Sequence, residues 1–407
     1  MKKWTLAFIF IAFTVTTKAQ QVIPFKDANN KWGVKNNGTV VVTPQYDFLD
    51  NFSGGVAVAF QGTQYGVIDT SGKIVVPFGK YGIISKFSEG LAAATVQKKY
   101  GFIDTSGNEI IAPQYEYAES FAEGLAMVQY NNLAGFINKA GKVVVPFKYG
   151  YGRQFEDGVA VVGIGGEWDI DDYILGKYGI VDKNGKEIVP VKYDYIGYFS
   201  GGIAEVNTGG KWEYDEYDMP DVYGGLWGVI DKTGKEIIPL KYDYVMTDSF
   251  AKYGYIVVET NKKFGVVNAA GVLIAPARYD FIKPSSTEAG IAVVNIGGKY
   301  NEVFSDLAFN PYGGGSQGFI NYKTGKEITP VQYANVSDFN EGIAMVNMGA
   351  VYDGAGYKGG KWGYIDTNGK TIIPLKFDTA DYFFSGKAKV SLNGREFYID
   401  KTGKEIQ

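Results

Sequence analysis

One unit is written about ten times along this chain, and that repetition limits the fold more than any other feature. Residues 99–115 (KYGFIDTSGNEIIAPQY), 177–193 (KYGIVDKNGKEIVPVKY) and 361–377 (KWGYIDTNGKTIIPLKF) set out the pattern. An aromatic-Gly pair opens each, a polar turn ending in Gly follows, and an apolar run closes on Pro and an aromatic. The opening pair returns as Trp32-Gly33, Tyr65-Gly66, Tyr100-Gly101, Tyr178-Gly179, Trp227-Gly228, Phe264-Gly265 and Trp362-Gly363. Gly135 and Gly318 follow Ala134 and Gln317 and keep the glycine alone, while Phe397, after Glu396, stands where the last glycine falls. A second phrase, F-x-E-G-x-A in its fullest form, starts at Phe87, Phe121, Phe155, Phe199 and Phe339.

Each unit reads as strands. Phe102-Ile103-Asp104 enters a tight turn at Thr105-Ser106-Gly107, where Asp accepts local backbone bonds and Gly supplies positive φ. Residues 108–112 return as a strand carrying β-branched Ile110 and Ile111. Pro113 has no N–H for a ladder, so it is expected to end that pairing or to sit on an edge. After a connection over 114–123, residues 125–130 (LAMVQY) form a third strand. No helical period intervenes. The fold class is therefore all-β: a tandem array of about ten three-stranded antiparallel units. A sheet this small cannot bury a core alone, so neighbours must stack, with the opening aromatics as the expected mortar. The strand phase at the two ends fits an open twisted superhelix, the preferred reading, and also a closed propeller-like ring.

A length of 407 residues would suggest two or three domains, but the repeats overrule that prior. Charge is nearly balanced, with 40 Lys and Arg against 44 Asp and Glu, so no basic excess points to nucleic acid. Cys and His are both absent. That excludes a disulfide scaffold, a thiol nucleophile, a Ser-His triad and most zinc or copper sites. Lys2 and Lys3, an apolar stretch over 4–16 and Thr17-Lys18-Ala19 make up a signal-peptide pattern. The apolar stretch is shorter than the ~20 residues that a membrane-spanning helix needs. Residues 1–19 are thus expected to be an export signal and 20–407 the array, a chain delivered to the periplasm, cell surface or medium without a transmembrane span.

The aromatic-Gly pair, the I-D-x-x-G-K turn, the I-I-P-x-K-Y close and the F-x-E-G-x-A phrase together resemble the bacterial WG (KWG) repeat proteins. The resemblance covers essentially everything after Ala19. It implies a β-rich repeat scaffold, often exported, with no family-wide catalytic residues to carry over.

Function in such an array is expected where the units depart from their pattern. Residues 166–176 combine Trp168 with Asp169, Asp171 and Asp172. Residues 211–226 combine Trp212, Tyr214 and Tyr217 with Asp215, Glu216 and Asp218. Two further departures span 300–317, with Phe304, Phe309 and Tyr312, and 350–360, with Tyr352 and Tyr357. Aromatic rings beside carboxylates suit sugars, whose C–H faces stack on rings while hydroxyls bond the acids. The plainer reading is extended hairpins with solvated acids. Calcium is a third possibility, through Asp169, Asp171 and Asp172 or Asp215, Asp218 and Asp221, although neither set matches a known loop spacing. Gly163-Ile164-Gly165-Gly166 lacks the helix of a dinucleotide site, and the recurrent Gly-Lys turns lack a phosphate loop. The recurrent Asp69, Asp104, Asp182, Asp231, Asp366 and Asp400 read as turn residues. A carboxylate-based polysaccharide-active enzyme has only 213–221 to work with, and a purely structural spacer remains the other alternative. The expectation is an exported non-enzymatic scaffold without cofactor or metal, binding an envelope protein, a peptide or a glycan.

Overall fold

The computed structural model describes residues 22–169, 172–174, 176–214, 220–247, 253–285, 287–288, 290–300, 312–354 and 356–406. The proposed export signal lies outside them. Every extended element along the described residues is a strand, and ten small antiparallel sheets follow one another in chain order. They occupy 22–46, 48–76, 91–115, 117–149, 151–193, 195–242, 244–279, 281–327, 335–377 and 379–406. Among the described residues no helix is long and apolar enough to cross a membrane.

The fourth sheet shows how the unit is built. Leu125–Tyr130 pairs with Leu133–Asn138, which pairs with Val143–Tyr149. These are the three expected strands. The connection supplies a fourth, because Tyr117 and Ala118 fold back onto Gln129 and Val128. Asn131 and Asn132, at φ 52° and 59°, close the first hairpin in the left-handed conformation that a two-residue turn needs. Asn138 closes the second, its Oδ1 accepting the N–H groups of Ala140 (3.1 Å) and Lys142 (3.0 Å). Asp104 does the same for Ser106 (2.8 Å) and Asn108 (2.9 Å), which accounts for the recurrent aspartates as turn residues.

The proline and the opening glycine explain each other. In the third sheet Glu109–Tyr115 is an outer strand, and its register with the neighbouring strand slips between Ile111 and Tyr115, across Pro113. Proline thus sits on an edge, at a bulge, where no ladder N–H is lost. The slipped strand crosses directly over Gly101. A Cβ there would lie 2.4 Å from the Ile111 carbonyl oxygen and 2.6 Å from the Pro113 nitrogen. In the tenth sheet, among the described residues, the equivalent strand Glu405–Ile406 pairs with Ile399 and Tyr398.

Stacking follows from the period of two. In the second sheet Ala57 and Ala59 join a core with Val34 and Val42 of the first, while Val56 and Val58 join Ala92, Ala94 and Ile103 of the third. Leu91 and Ala93 of the third meet Ala126 and Val128 of the fourth. Central strands are buried on both faces for this reason, and they read as continuous apolar runs. The same alternation links sheets six to seven through Trp227 and Val258, seven to eight through Val257 and Val294, eight to nine through Val293 and Val346, and nine to ten through Met345 and Val390.

The aromatic mortar is partly displaced from where the sequence pattern puts it. Trp227 and Tyr178 are buried, but Trp32, Tyr65, Tyr100, Phe264 and Trp362 are only half-buried. The more regular contact is made two residues further on. Phe102, Phe136, Phe319 and Tyr364 meet Phe121, Phe155, Phe339 and Phe383 at ring-centroid distances of 4.8, 4.9, 4.9 and 5.0 Å. The second ring of each pair belongs to the F-x-E-G phrase or its equivalent. The chain forms two compact units, 1–160 with 183–186 and 161–182 with 187–407. Sheets one to four lie wholly in the first and six to ten wholly in the second.

Candidate functional site

All four departures from the repeat fall in the second unit, and all at one place in it: the hairpin between the two long central strands. In the second, third, fourth, seventh and tenth sheets two residues close that hairpin, and in the first five do. In the departures it grows into a ribbon. Glu167–Asp169 pairs with Asp172–Ile174, Lys211–Tyr214 with Pro220–Tyr223, and Lys299–Tyr300 with Tyr312–Gly313. The fourth is a lengthening of the central strands themselves from six residues to ten, Ile343–Tyr352 against Tyr357–Asp366.

Each of the last three ribbons has the same root. Asn207, Asn295 and Asn347 are fully buried. The Oδ1 of each accepts a main-chain N–H three residues on: Gly210 (2.9 Å), Gly298 (2.9 Å) and Ala350 (3.1 Å). The Nδ2 of each donates across the ribbon to a carbonyl: Gly224 (2.9 Å), Gly314 (3.0 Å) and Gly359 (3.3 Å). The chain crosses itself so closely here that a Cβ on Gly225, Gly315 or Gly360 would lie 2.3, 2.3 and 2.4 Å from the facing backbone nitrogen. The glycines let the two backbones touch, and the asparagine ties them. The written signal was N-x-G-G at 207–210 and 295–298 and N-x-G-A at 347–350, which marks where a ribbon leaves its sheet. Gly163-Ile164-Gly165-Gly166 precedes the remaining ribbon and is followed by strand, not helix.

Of the residues singled out in the sequence, Trp168, Asp169 and Asp172 lie on the first ribbon, with Trp168 opposite Tyr173 and Asp169 opposite Asp172. Their side chains and Asp171 lie outside the described residues, as do Asp215, Glu216, Tyr217 and Asp218. Trp212 packs at the root of the second ribbon, edge-on to Tyr195 at 6.0 Å and opposite buried Val222. Its indole nitrogen is buried without a hydrogen-bond partner. Tyr214 is 53% exposed beyond it, beside the facing pair Glu213 and Asp221. Among the described residues no group of three acidic side chains is placed to hold a metal ion.

The third and fourth ribbons face each other across a groove of about 410 Å3. Gly297, Lys299 and the run Gly313-Gly314-Gly315 form one wall, and Ala350, Val351, Tyr352 and Tyr357 the other. Tyr357 joins the walls: its hydroxyl accepts the N–H of Gly314 (3.0 Å) and an Nε2–H of Gln317 (3.1 Å). Burial raises its pKa against the opposing effect of those two bonds. The Tyr352 ring lies at 5.1 Å from Tyr357 and directly over Gly313, where a Cβ would be 2.0 Å from the ring. Sequence reasoning named both tyrosines as part of a departure but gave no sign that they meet the glycine run.

A tandem array of small β-sheets carrying ribbons at one recurrent hairpin defines a β-repeat scaffold. The chain belongs to the WG containing repeat family, whose model matches nine times, at 34–62, 65–100, 100–133, 135–168, 178–212, 227–264, 264–300, 318–352 and 362–395. No curated protein matches it. Among solved structures, a crystal structure of a eukaryotic initiation factor is similar over 95% of this chain and 99% of its own, at 12% identity and a TM-score of 0.36. Hsv2p of Kluyveromyces lactis is similar over 61% of this chain and 91% of its own, at 9% identity and a TM-score of 0.29.

Proposed function

We propose that this chain is an exported, non-enzymatic scaffold that holds a partner of the cell envelope (protein, peptide or glycan) on the ribbons of its second unit. The observation that carries the reading is the buried asparagine root. A chain that only needs to close a hairpin uses two residues, as at Asn131-Asn132. Burying an amide is costly unless its donor and acceptor are both bonded. The asparagine stands at that central-strand position only under ribbons, where Phe60, Thr95, Gln129, Glu259 and Ser391 stand in the two-residue hairpins. Ribbons fixed at the root are preorganised, so less ordering entropy opposes binding. Export rests on the pattern over 1–19.

The test is retention of purified residues 20–407 on insoluble cell-wall polysaccharide and on a glycan array, beside Asn207→Ala, Asn295→Ala and Asn347→Ala. Saturable retention that falls by about tenfold or more in at least one variant, with far-UV spectra unchanged, is the expected outcome. Retention indifferent to all three substitutions would remove the ribbons from the binding surface. Release of new reducing ends would make the protein an enzyme.

A further inference from the structure

We infer that the outward faces of the first and tenth sheets are built as caps, which keep a second copy of this chain from stacking end to end on the array. Between stacked sheets the pattern is strict. Ile291, Val293 and Phe319 of the eighth sheet meet Ala344, Val346 and Ile365 of the ninth, and all six are buried. Ile343, Met345 and Tyr364 of the ninth meet Ala388, Val390 and Ile399 of the tenth in the same way. Val56, Val58 and Val67 of the second meet Ala92, Ala94 and Ile103 of the third.

Strand register names the residues that hold these places on the two faces that no described sheet covers. On the tenth sheet Lys387, Lys389 and Tyr398 stand where Ile343, Met345 and Tyr364 stand on the ninth, and Glu396 takes the place of Trp362. On the first sheet Ile23, Phe25 and Lys35 stand where Ala57, Ala59 and Ile68 stand on the second. Charged side chains thus occupy positions that the interior sheets fill with aliphatic or aromatic ones.

The contacts that reach forward change at the tenth sheet as well. The Ser88 hydroxyl donates to the Phe121 carbonyl at 2.7 Å and the Asn340 amide to the Phe383 carbonyl at 2.9 Å, each from one phrase to the next. In the tenth sheet's phrase Phe384, 74% exposed, takes that polar place, and Ser385 takes the place of Glu341.

A second copy that continued the array would lay its first sheet on this face and take four charged groups out of water. Lys389 and Glu396 pair at 2.7 Å. Lys35 and Lys387 rest on the rings of their own faces, over Phe25 at 4.3 Å and Tyr398 at 5.2 Å, and they would meet as like charges. Burying such cations is strongly unfavourable. Phe25 adds bulk: opposite the opening glycine, where it stands, the next three sheets carry Ala59, Ala94 and Val128. An end-to-end contact of this kind is heterologous and does not close on itself, so without caps it would grow into fibres. Stacked repeats stay soluble when their outermost faces are polar.

The experiment is sedimentation velocity on residues 20–407 and on two variants, one with Phe25→Ala and Lys35→Ile, the other with Lys387→Val, Lys389→Val and Glu396→Tyr. Each variant alone should remain monomeric, because its apolar face finds only a charged one. An equimolar mixture should form a one-to-one dimer with a Kd of about 10 μM or below. All five substitutions in one chain should give assemblies that lengthen with concentration. Thermal midpoints check that the variants fold; where one falls, Lys35→Met against Lys387→Met with Lys389→Met repeats the mixing test at nearly constant volume. A mixture of folded variants that stays monomeric, self-association of either variant alone, or a wild-type dimer that either set of substitutions dissociates would each overturn the inference.

Discussion

Glu89 and Lys139, fifty residues apart, form an ion pair at 3.0 Å, and the same carboxylate accepts the N–H of Gly124 at 3.0 Å. Gly124 holds in its phrase the place that Gly90 holds beside Glu89, so each glutamate caps the next turn and pairs with the lysine beyond it. Glu123 repeats the arrangement with Gly158 (2.9 Å) and Lys183 (2.9 Å), and Glu341 with Gly386 (3.1 Å) and Lys401 (2.9 Å). Where glycine takes the glutamate's place, at Gly54 and Gly201, the lysine is missing too, replaced by Thr105 and Ala269. Where the place is taken by Tyr253, the far residue is Tyr322, and their rings meet at 6.0 Å. The two positions vary together because they touch.

Glu89 carries this contact at a φ of 53°, a region that glycine adopts without strain. Glu89→Ala is expected to destabilise the first unit by about 1 kcal/mol, and Glu89→Gly by less, because relief of the backbone offsets the lost bonds. Burial by itself would raise the carboxyl's pKa, but Lys139 and the Gly124 N–H outweigh it and hold the group below its usual value. The contribution is therefore present above pH 4.5 and lost as pH falls through the lower folded value. Urea midpoints for both variants and for the Lys139→Ala cycle check this; a glycine variant weaker than the alanine variant would contradict it.

Gly101→Ala tests the crossing of the proline strand. The added methyl has only backbone to meet, at 2.4 Å, and backbone cannot rotate away. A loss of about 2–3 kcal/mol is expected. Gly90→Ala, whose Cβ meets nothing within 4 Å, provides the comparison, since its cost comes from φ +88° alone. Thermal midpoints that rank the two the other way would sink the argument.

Trp227→Ala removes a ring that is 3% exposed and edge-on to Tyr195 at 5.6 Å and Tyr244 at 5.2 Å. It is expected to cost roughly 3–5 kcal/mol. Trp32→Ala, at a half-buried ring, should cost clearly less. An unchanged midpoint in the Trp227 variant would show that the sixth and seventh sheets do not depend on that core.

Glu119 predicts a pH effect of the opposite sign. Burial pushes its carboxyl up to about 7, and its Oε2 has no hydrogen-bond partner. The folded chain holds this proton where the unfolded chain, near 4.5, has released it. Stability should therefore fall as pH rises from about 4.5 to about 7, by about 3 kcal/mol. Glu119→Gln should flatten that slope and be the more stable chain at pH 8. Parallel stability curves for the two would refute the shift.

What the sequence determined by itself is whatever a dozen neighbouring residues can settle. The turn aspartates bond N–H groups two and four residues away, and the alternating strand residues face opposite sides whatever surrounds them. The repeat, the strands and the places where the units depart from pattern were legible for that reason. The tertiary structure decided everything that depends on the offset between stacked sheets. It made Gly101 obligatory by laying Pro113 over it, moved the regular aromatic contact to Phe102 and Phe121, and joined Glu89 to Lys139. It also brought Tyr352 onto Gly313 to make a groove. These partners lie about 10 to 50 residues apart, and only packing one sheet against the next sets which of them meet.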